Sequence, residues 1–473
     1  MLKLYMRIPS KYKKLAACVV MAIFVWMMPA PRGVESDAWK TFAIFLYVLI
    51  GMILKPISIG VITLSSLMIL VLTDILSFGE AFAGFSNPTI WLIVFAFFIA
   101  RGFIKTGLGL RIAYNLMIVI GKNTLGIAYG IVFTDFILAS SIPSVAARSG
   151  GIIYPIIVAL SKAFDSTPEN NPRKIGSYLI KTIFQCSAVT SAMFLTAMAG
   201  NPIVQSLAKN SSVNITWSLW ALAAIVPGLS SLILIPYIIY KIYPPEIKHT
   251  PEAKKFAISK LKEMGKISTK ELIMIFTFVL MILLWILAPY VKIDATITAL
   301  LGLCILLFTN VLSFDDVLKE SGAWDTLIWF AALITIAFTM NKFGLMAWFS
   351  GHIETHVKGM SWQLGFTIIG ILYYYLHYFF ASNIAHITSL YAPFLILSIA
   401  IGTPPTLAAL TLGFFSSLFG SLTPYGSGPA PIYFGSGYIL PKDWWRIGFI
   451  ISLVNIIIWV GIGGLWWYII GIL

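Results

Sequence analysis

Long apolar runs, separated by short polar stretches, constrain the fold of this chain more than any other feature. A helix needs roughly 20 apolar residues to cross about 30 Å of hydrocarbon. A lipid-exposed backbone must also satisfy its own hydrogen bonds, as a helix does. The sequence therefore predicts an all-α polytopic membrane protein with about eleven transmembrane helices. The predicted crossings are 14–30, 38–55, 57–75, 88–106, 176–213 (broken), 216–242, 270–290, 294–312, 323–346, 403–440 (broken) and 446–472.

Composition supports the same class of protein. Hydrophobic residues make up 59% of the chain and charged residues only 11%, against about 25% charged in soluble domains. The net charge of +14 does not indicate nucleic acid, because the basic residues cluster in loops, where they orient membrane proteins. Three cysteines in apolar surroundings predict neither a disulfide framework nor a metal site, and no cofactor is expected. They are Cys18, Cys186 and Cys304.

Two basic segments predict the orientation of the chain. Residues 1–37 hold a lysine- and arginine-rich start followed by the first apolar run, and 243–269 is the only long polar segment. Basic flanks stay in the cytoplasm, so six crossings between these segments place the N-terminus inside and the C-terminus outside. We expect 243–269 to be a cytoplasmic amphipathic linker. A signal peptide cleaved near Ala30 is the alternative for the first run, and we expect a retained helix.

Two further apolar segments, 123–164 and 362–401, each have two short arms around a polar tip. Such segments are typical of re-entrant hairpins, which membranes tolerate only where they are buried in protein or line water. The tips lie 238 residues apart and share serine, alanine, a basic residue and a later proline at the same positions. They read Ser144-Val145-Ala146-Ala147-Arg148 with Pro155, and Ser382-Asn383-Ile384-Ala385-His386 with Pro393.

The paired tips belong to a longer internal repeat. TDILSF at 73–78 matches TNVLSF at 309–314, and Lys105, which precedes a Gly-Leu pair, matches Lys342 in the same context. Both lysines lie near helix ends, where we expect structural roles. The predicted repeats are 38–242 with hairpin 123–164, and 270–473 with hairpin 362–401. Each holds five crossings, an odd number, so the second repeat is inverted and the two hairpins are opposed.

We expect four polar interruptions to converge near the middle of the membrane, because inverted repeats place substrates between broken helices. Two are the hairpin tips, and two are glycine- and proline-containing breaks at 199–202 and 423–429. Interrupted helices expose backbone N–H groups and bind anions. The predicted substrate-binding residues are Ser144, Arg148, Gly200, Asn201, Pro202, Ser382, Asn383, His386, Ser427, Gly428 and Pro429.

Arg148 and His386 occupy the same place in the two repeats and are expected to carry the charge of this site. An arginine within the membrane is costly and usually functional, and its guanidinium matches a carboxylate. Two cations predict a substrate with two negative charges. The alternatives are a structural salt bridge for Arg148 and a packing role for His386. Asp135, in the first hairpin arm, could be a proton carrier or the partner of Arg148.

Four motifs carry a resemblance to a known family. They are SNPTIWLI at 86–93, ARGFIKTGLG at 100–109, Pro143-Ser144 with Ala147-Arg148, and YFGSGY at 433–438. With these motifs the chain resembles the divalent-anion/sodium symporter family over nearly its whole length, and the resemblance is closest to its exchanger branch, the plastid 2-oxoglutarate/malate translocators and the bacterial citrate/succinate or tartrate/succinate antiporters. The resemblance implies eleven transmembrane helices, two opposed hairpins, a homodimer, and an elevator-like movement of a transport domain against a scaffold.

The first tip departs from the family pattern. Family symporters carry Ser-Asn-Thr at both tips, which help to coordinate sodium. Here Val145 and Ala146 supply no oxygen ligand, while the second tip keeps serine and Asn383 but has Ile384. The departure predicts that at least the first sodium site is impaired and that fixed cations attract the substrate instead. An empty carrier with buried uncompensated charge would cross slowly, which favours exchange.

The sequence therefore predicts a sodium-independent exchanger of C4 and C5 dicarboxylates such as succinate, malate, fumarate and 2-oxoglutarate, with citrate as a further candidate. We expect it in the inner (plasma) membrane of a bacterium. A sodium- or proton-coupled dicarboxylate symporter is the alternative. No His-Glu-x-x-His, Gly-x-Ser-x-Gly or paired membrane aspartates are present, so an intramembrane enzyme is not expected. A channel fits the inverted repeat less well than alternating access.

Overall fold

The computed structural model describes residues 9–345, 348 and 361–472, and over these residues the fold is all-α. This confirms the predicted fold class. The first eight residues of the basic N-terminal segment, the end of the predicted crossing 323–346 and residue 473 lie outside the described part. The apolar runs form helices because only a helix pairs every backbone N–H and C=O within the segment itself.

The helices before the linker begin and end as follows. They are α1 Ser10–Met27, α2 Ser36–Leu54, α3 Ile59–Leu72, α4 Phe78–Ala81, a 3₁₀ turn Ala83–Ser86, α5 Pro88–Thr106, α6 Leu108–Ile120, α7 Thr124–Ala139, a π-helical turn Ala146–Ile153, α8 Tyr154–Ala163, α9 Gly176–Met193, a 3₁₀ turn Leu195–Ala197, α10 Gly200–Asn210 and α11 Trp217–Ile242.

The remaining described helices include the one in the linker. They are α12 Pro251–Met264, α13 Thr269–Val291, α14 Ala295–Phe308, α15 Phe314–Leu318, α16 Ser321–Lys342, α17 Trp362–Tyr375, a 3₁₀ turn Leu376–Phe379, α18 Asn383–His386, a π-helical turn Ile387–Tyr391, α19 Ala392–Ala400, α20 Pro405–Leu418, a 3₁₀ turn Phe419–Ser421, α21 Ala430–Gly435, α22 Pro441–Ile457, a π-helical turn Ile458–Ile462 and α23 Gly463–Ile469.

Among the described residues, seven helical segments are long and apolar enough to cross a membrane, and five more apolar helices are shorter. Some of the shorter ones arise where a predicted crossing ends early, while Thr124–Ala139 is an arm of the first predicted hairpin and Leu108–Ile120 lies in no predicted crossing. For example, α3 and α14 end just before Asp74 and Asn310, which both adopt a left-handed backbone with φ of +55°. The seven segments are α2, α5, α11, Thr269–Ala288 within α13, α16, Asn383–Ala400 and Pro441–Ile469.

The two predicted hairpins form helix–tip–helix units. In the first, α7 leads to the tip and the return arm runs through a π-helical turn into α8. In the second, α17 leads to the tip and the return arm runs from α18 through another π-helical turn into α19. In both hairpins the two arms contact each other. A π-helical turn occurs mostly at functional sites, and here it follows each tip directly.

The predicted broken crossings are also broken in the structure, but the first break begins earlier than the sequence indicated. Helix α9 ends at Met193, a 3₁₀ turn follows, and Gly200 already belongs to α10. Pro202 therefore lies in the first helical turn, where its missing N–H removes no hydrogen bond. The second break lies between α20 and α21, as the proline- and glycine-rich sequence predicted.

The predicted linker contains α12, which packs against α6. Ala253 and Ala257 are buried on one face of α12. The backbone N–H of Thr124 donates to Lys248 O at 3.0 Å, and the N–H of Thr250 donates to Lys122 O at 3.2 Å. These bonds attach the linker to the start of the first hairpin.

Candidate functional site

A cavity of about 370 Å³ lies where the two hairpin tips meet the two helix breaks. Its volume is within the usual range for ligand pockets. The structure thus brings the four predicted segments together around one space. Their lining residues are Pro143, Ser144, Val145, Ala146, Met198, Ala199, Ser382, Asn383, Ile384, Ala385, Ser427, Gly428 and Pro429.

The opposite wall of the cavity comes mainly from α2, α5 and α16, with Ile59 at the start of α3, and was not predicted. These helices have no polar interruption, so the sequence did not indicate that they face the tips. Lys55 and Asp325 are the charged residues among the described lining residues, and both are exposed. The wall consists of Met52, Lys55, Ile59, Phe97, Gly322, Asp325, Thr326 and Trp329.

Three further serines line the cavity and were also missed. Ser187 and Ser191 lie one turn apart on α9, just before the first break, and Ser417 lies near the end of α20 before the second break. Hydroxyl groups in the last turns of an apolar helix before a break are a signal that could have identified them. Their hydroxyls add polar groups to a space that is otherwise largely apolar.

Each return arm begins at the cavity. The second arm is a continuous helical segment of 18 residues, Asn383–Ala400. In the first arm, Ser144 Oγ accepts a hydrogen bond from the Ala147 N–H at 3.2 Å. Unsatisfied N–H groups at a helix start carry a partial positive charge and favour anions. Both return arms thus place the start of a helical segment at the cavity.

Arg148, which the sequence predicted as a substrate ligand, is not among the residues that line the cavity. Its side chain is fully buried, and all five of its N–H donors are directed at protein groups. The guanidinium fastens the first tip to α9 and to the first break. Nε donates to Asp135 Oδ1 at 2.9 Å, one terminal nitrogen to Ile142 O and Ala197 O at 2.8 Å each, and the other to Thr190 Oγ1 at 3.3 Å and Ser191 Oγ at 3.0 Å.

Asp135 is the salt-bridge partner of Arg148, which answers the question that the sequence left open. Its second oxygen accepts a hydrogen bond from Thr190 Oγ1. Both ionised side chains are buried, and a buried pair of opposite charges with its hydrogen bonds satisfied has no surplus charge. In this structure Arg148 is therefore a compensated cation, as in the salt-bridge alternative from the sequence.

His386 is likewise buried and does not line the cavity. Its Nδ1 lies 3.2 Å from His377 Nδ1, and His377 Nε2 lies 2.9 Å from Gly426 O. A carbonyl only accepts, so we assign the proton of neutral His377 to Nε2, which leaves its Nδ1 to accept from His386. The second nitrogen of His386 then carries a lone pair, and it has no partner among the described residues.

Aromatic rings surround this histidine pair. The ring of Phe419 stacks on both imidazoles, with centroids 4.0 Å from His377 and 4.3 Å from His386. A charge buried among such neighbours without a counter-ion would cost much free energy. These contacts favour the packing role, the alternative from the sequence, over the predicted fixed cation.

Gly200, Asn201 and Pro202, which the sequence predicted as substrate ligands, lie behind the lining residues. Asn201 Nδ2 donates to Ser191 O at 2.7 Å and Phe194 O at 2.9 Å, and its Oδ1 accepts from Ser417 Oγ at 3.0 Å. A Cβ on Gly200 would lie 2.5 Å from Ile387 Cδ1, so only glycine fits there without rearrangement. These residues hold the break in shape, while Met198 and Ala199 face the cavity.

Comparison with known sequences identifies relatives over the full length of the chain. The profile of the family described as "Sodium:sulfate symporter transmembrane region" matches residues 9–473. YflS of Bacillus subtilis, a proposed malate transporter, is 53% identical over 98% of this chain and 97% of its own length. The chloroplast Dicarboxylate transporter 1 of Arabidopsis thaliana is 48% identical over 97% of this chain and 83% of its own length.

A bacterial inner membrane protein and a solved structure extend the comparison. The inner membrane protein YbhI of Escherichia coli is 35% identical over 96% of this chain and 97% of its own length. The crystal structure of the YdaH transporter of Alcanivorax borkumensis matches 98% of this chain and 97% of its own, with a TM-score of 0.59 at 12% identity. At that identity the match shows a shared fold.

Proposed function

Because this chain belongs to the family of the sodium:sulfate symporter transmembrane region and is a multi-pass membrane transporter of dicarboxylates rather than an enzyme, we propose that it exchanges C4 and C5 dicarboxylates without sodium. Candidate substrates are succinate, malate, fumarate and 2-oxoglutarate, with citrate as a further candidate. The proposed location is the inner membrane of a bacterium.

The observation that carries this proposal is the chemistry of the first tip. Val145 and Ala146 both line the cavity, at the positions where family symporters place an asparagine and a threonine. Sodium needs oxygen ligands, and neither side chain has one. At the second tip Asn383 donates to Ser416 O at 2.9 Å, and Ile384 adds no oxygen. The side chains of the two tips thus fit a pair of sodium sites poorly.

In this proposal exchange follows from the lack of a coupling ion rather than from fixed cations, because Arg148 is paired with Asp135 and His386 packs among aromatic rings. Moving one charge against a membrane potential of 100 mV costs about 2.3 kcal/mol, so uncoupled uptake of a dianion into a negative interior costs about 4.6 kcal/mol. Exchange of one dianion for another moves no net charge. An exchanger therefore accumulates substrate without sodium, and a uniporter does not.

The proposed substrate ligands are Ser144, Ser382, Asn383, Ser427, Gly428 and Pro429 from the sequence, joined by Ser187, Ser191 and Ser417 from the structure. Hydroxyl, amide and backbone N–H groups hold a carboxylate by hydrogen bonds and release it without breaking an ion pair, whereas Pro429, which has no N–H, only shapes the cavity. This suits a carrier, which must bind a dianion on one side and let it go on the other. Arg148 and Asn201 are positioning residues in this proposal.

An elevator-type movement in a homodimer is the proposed mechanism. The cavity lies between two sets of elements: the hairpins with the broken helices, and the wall of α2, α5 and α16. A site with all its predicted polar ligands on one set can be carried past the other set without being taken apart. The two sequence repeats supply the same parts in opposite orientation, which is what access from both sides requires.

Counterflow in proteoliposomes tests the proposal. Labelled succinate should enter vesicles loaded with unlabelled malate equally fast with and without sodium, and it should not enter empty vesicles. Sodium-dependent entry into empty vesicles would overturn the exchange proposal in favour of sodium symport. Entry into empty vesicles that follows an imposed proton gradient would instead support proton symport.

A variant of the first tip tests the sodium argument separately. Val145→Asn with Ala146→Thr restores the two side chains that family symporters carry at this tip. We expect succinate binding by this variant to become stimulated by sodium, measured as a sodium-dependent thermal shift in detergent. The matched control is Ile384→Thr, which changes the second tip alone. If sodium has no effect on succinate binding by the wild type, the double variant or the control, the first tip is not the cause of sodium independence.

A further inference from the structure

Lys55 is a positively charged residue of the cavity wall that neither the repeat analysis nor the comparisons with relatives assign to any role. It follows the last residue of α2 and lines the cavity opposite the tips. Among the described residues its ammonium group has no ion pair. The cavity therefore has one cationic side chain that no carboxylate holds.

The backbone at Lys55 is unusual for lysine. Its φ is +46°, in the left-handed region, and its N–H donates to Gly51 O at 2.9 Å. Glycine is the ordinary residue at such a helix end, because a side chain there is strained. This chain uses glycine for the purpose elsewhere, as at Gly107 with φ of +74°. A strained lysine in place of glycine indicates that its side chain has a function.

Lys292 is the same residue in the second repeat. It lies 237 residues after Lys55, follows α13 with φ of +53°, and donates its N–H to Ala288 O at 2.9 Å. Its side chain is exposed and, within the described part of the chain, unpaired too. Unlike Lys55, it does not line the present cavity. One of two equivalent lysines thus faces the site and the other does not.

Reciprocal contacts support a twofold relation between the halves. Lys105 of the first half pairs with Asp316 of the second at 2.5 Å, and Lys342 of the second half pairs with Glu80 of the first at 2.9 Å. In both cases the acid also caps the start of its own short helix. An axis that exchanges these two pairs lies in the membrane plane if the repeats are inverted, so it places Lys55 and Lys292 at opposite faces.

We propose that Lys55 and Lys292 attract the dianionic substrate to the cavity by their positive charge, Lys55 at one face of the membrane and Lys292 at the other. Lys55 attracts the substrate when the cavity opens as in this structure. Lys292 does so after the hairpins have moved towards the other face. This proposal rests on the proposed dicarboxylate transport and on the twofold relation. A charged cleft raises the local concentration and the association rate of an oppositely charged ligand.

Each of these two lysines also has an acidic residue in its vicinity. Asp325 lies on the same wall as Lys55, with its Oδ1 3.5 Å from the position that a Cβ on Gly60 would take. Asp294 is two residues from Lys292 and caps α14 by accepting from the Thr296 N–H at 2.8 Å. Neither acid is within ion-pair distance of its lysine, so both ammonium groups are available to an anion.

Side-specific kinetics test the proposal with the full-length protein in vesicles of one orientation. The half-saturating succinate concentration is measured outside with saturating malate inside, and then inside with saturating malate outside. We expect Lys55→Gln to raise it about tenfold on one side only, and Lys292→Gln to raise it about tenfold on the other side only. Both effects should shrink in 0.5 M salt, because salt screens exposed charges.

Further variants separate this role from a structural one. Lys55→Arg should restore the wild-type concentration, and Lys55→Gly should preserve or raise thermal stability while still weakening binding, because glycine relieves the strain. Lys254→Gln, an exposed lysine of α12, controls for the loss of one charge. Equal effects of Lys55→Gln on both sides, or none on either, would overturn the proposal. If the wild type takes up succinate without exchange, the function proposal fails. The effect of each lysine variant on the half-saturating succinate concentration at one side of the membrane can still be measured in that uptake.

Discussion

At the scale of single residues, the environment of a charge decides its role more than its presence in an apolar run. The sequence marked Arg148 as functional because an arginine within a membrane is costly. The structure meets that cost with Asp135 and four further acceptor groups. Ser191 accepts one of these bonds and also lines the cavity. Arg148 thus acts on the site through the groups that it holds in place.

Arg148→Met should lower the stability of the protein strongly, because it leaves the Asp135 carboxylate buried without a partner. Removal of one member of a buried ion pair costs about 3–5 kcal/mol. Asp135→Leu alone should cost a similar amount. The double variant should be more stable than either single variant, because no buried charge is left alone. Thermal unfolding of the purified proteins in detergent measures all three.

The opposite pattern would support direct contact of Arg148 with substrate. In that case Arg148→Lys would keep wild-type stability and lose the thermal shift that succinate produces. Succinate binding stabilises the folded state in proportion to its occupancy, so the same instrument reads both quantities.

At the scale of elements, a close backbone approach joins the connection before α5 to α16. The 3₁₀ turn Ala83–Ser86 lies against α16, and the Gly84 N–H donates to Thr335 Oγ1 at 3.2 Å. A Cβ on Gly84 would overlap the carbonyl oxygen of Ala331. Backbone atoms of a buried helix cannot move aside as a flexible side chain does, so this position accepts only glycine.

Gly84→Ala should therefore destabilise the protein by about 1–3 kcal/mol, the usual cost of overpacking. The matched control is Gly79→Ala in the same connection, because a Cβ there meets nothing within 4 Å. The control should be neutral or slightly stabilising, since alanine favours a helix. Denaturation in detergent compares the two. A loss of stability in both variants would show that the connection itself, and not the close approach, is sensitive.

The ion pairs that link the halves should give the stability a dependence on pH. Hydrogen bonds from the Ser77 N–H and the Lys342 ammonium group lower the pKa of Glu80 from 4.5 to about 2. A carboxyl whose pKa is lower in the folded state stabilises the fold above its unfolded pKa. That contribution is lost as the pH falls from 4.5 towards about 2.

The measurement is the difference in thermal stability between wild type and Glu80→Gln. We expect the difference to be constant at neutral pH and to shrink as the pH falls below 4.5. Since Glu80 is exposed, salt should reduce the difference as well. A difference that grows at low pH would contradict the assignment.

At the scale of the whole molecule, the proposed movement requires the hairpins to slide past the wall. Thr388 in the second return arm donates to Met52 Sδ of α2 at 3.8 Å, so these residues touch across the boundary between the two sets of elements. A covalent link between them should hold the protein with its cavity open as in this structure. Exchange should then stop if the boundary has to move.

The variant for this test is Met52→Cys with Thr388→Cys in a chain whose own three cysteines are replaced. Mercuric ion should bridge the two thiols and abolish succinate exchange in proteoliposomes, and an excess of reduced thiol should restore it. Each single-cysteine protein is the control and should keep its activity with mercuric ion. Full exchange by the bridged protein would exclude movement at this boundary.

The proposed homodimer belongs to the same scale. Many exposed apolar side chains cover the helices, as expected of a surface in lipid, so exposure alone does not identify a subunit interface. Native mass spectrometry from detergent gives the oligomeric state directly. A monomer that exchanges succinate would remove the homodimer from the mechanism without affecting the site.

The sequence by itself determined the all-α membrane fold, the hairpins and the helix breaks. These features are local, because segment length, helical hydrogen bonding and the chemistry of glycine and proline decide them. Only the tertiary structure decided which polar residues face the cavity. Arg148, His386 and Asn201 turned out to be satisfied or packed by groups from distant segments, as when Ala197 O accepts from Arg148. Helices that are far apart in the chain meet at the cavity and bring Ser187, Ser191, Ser417 and Lys55 to it. A local sequence pattern does not predict contacts between such distant helices.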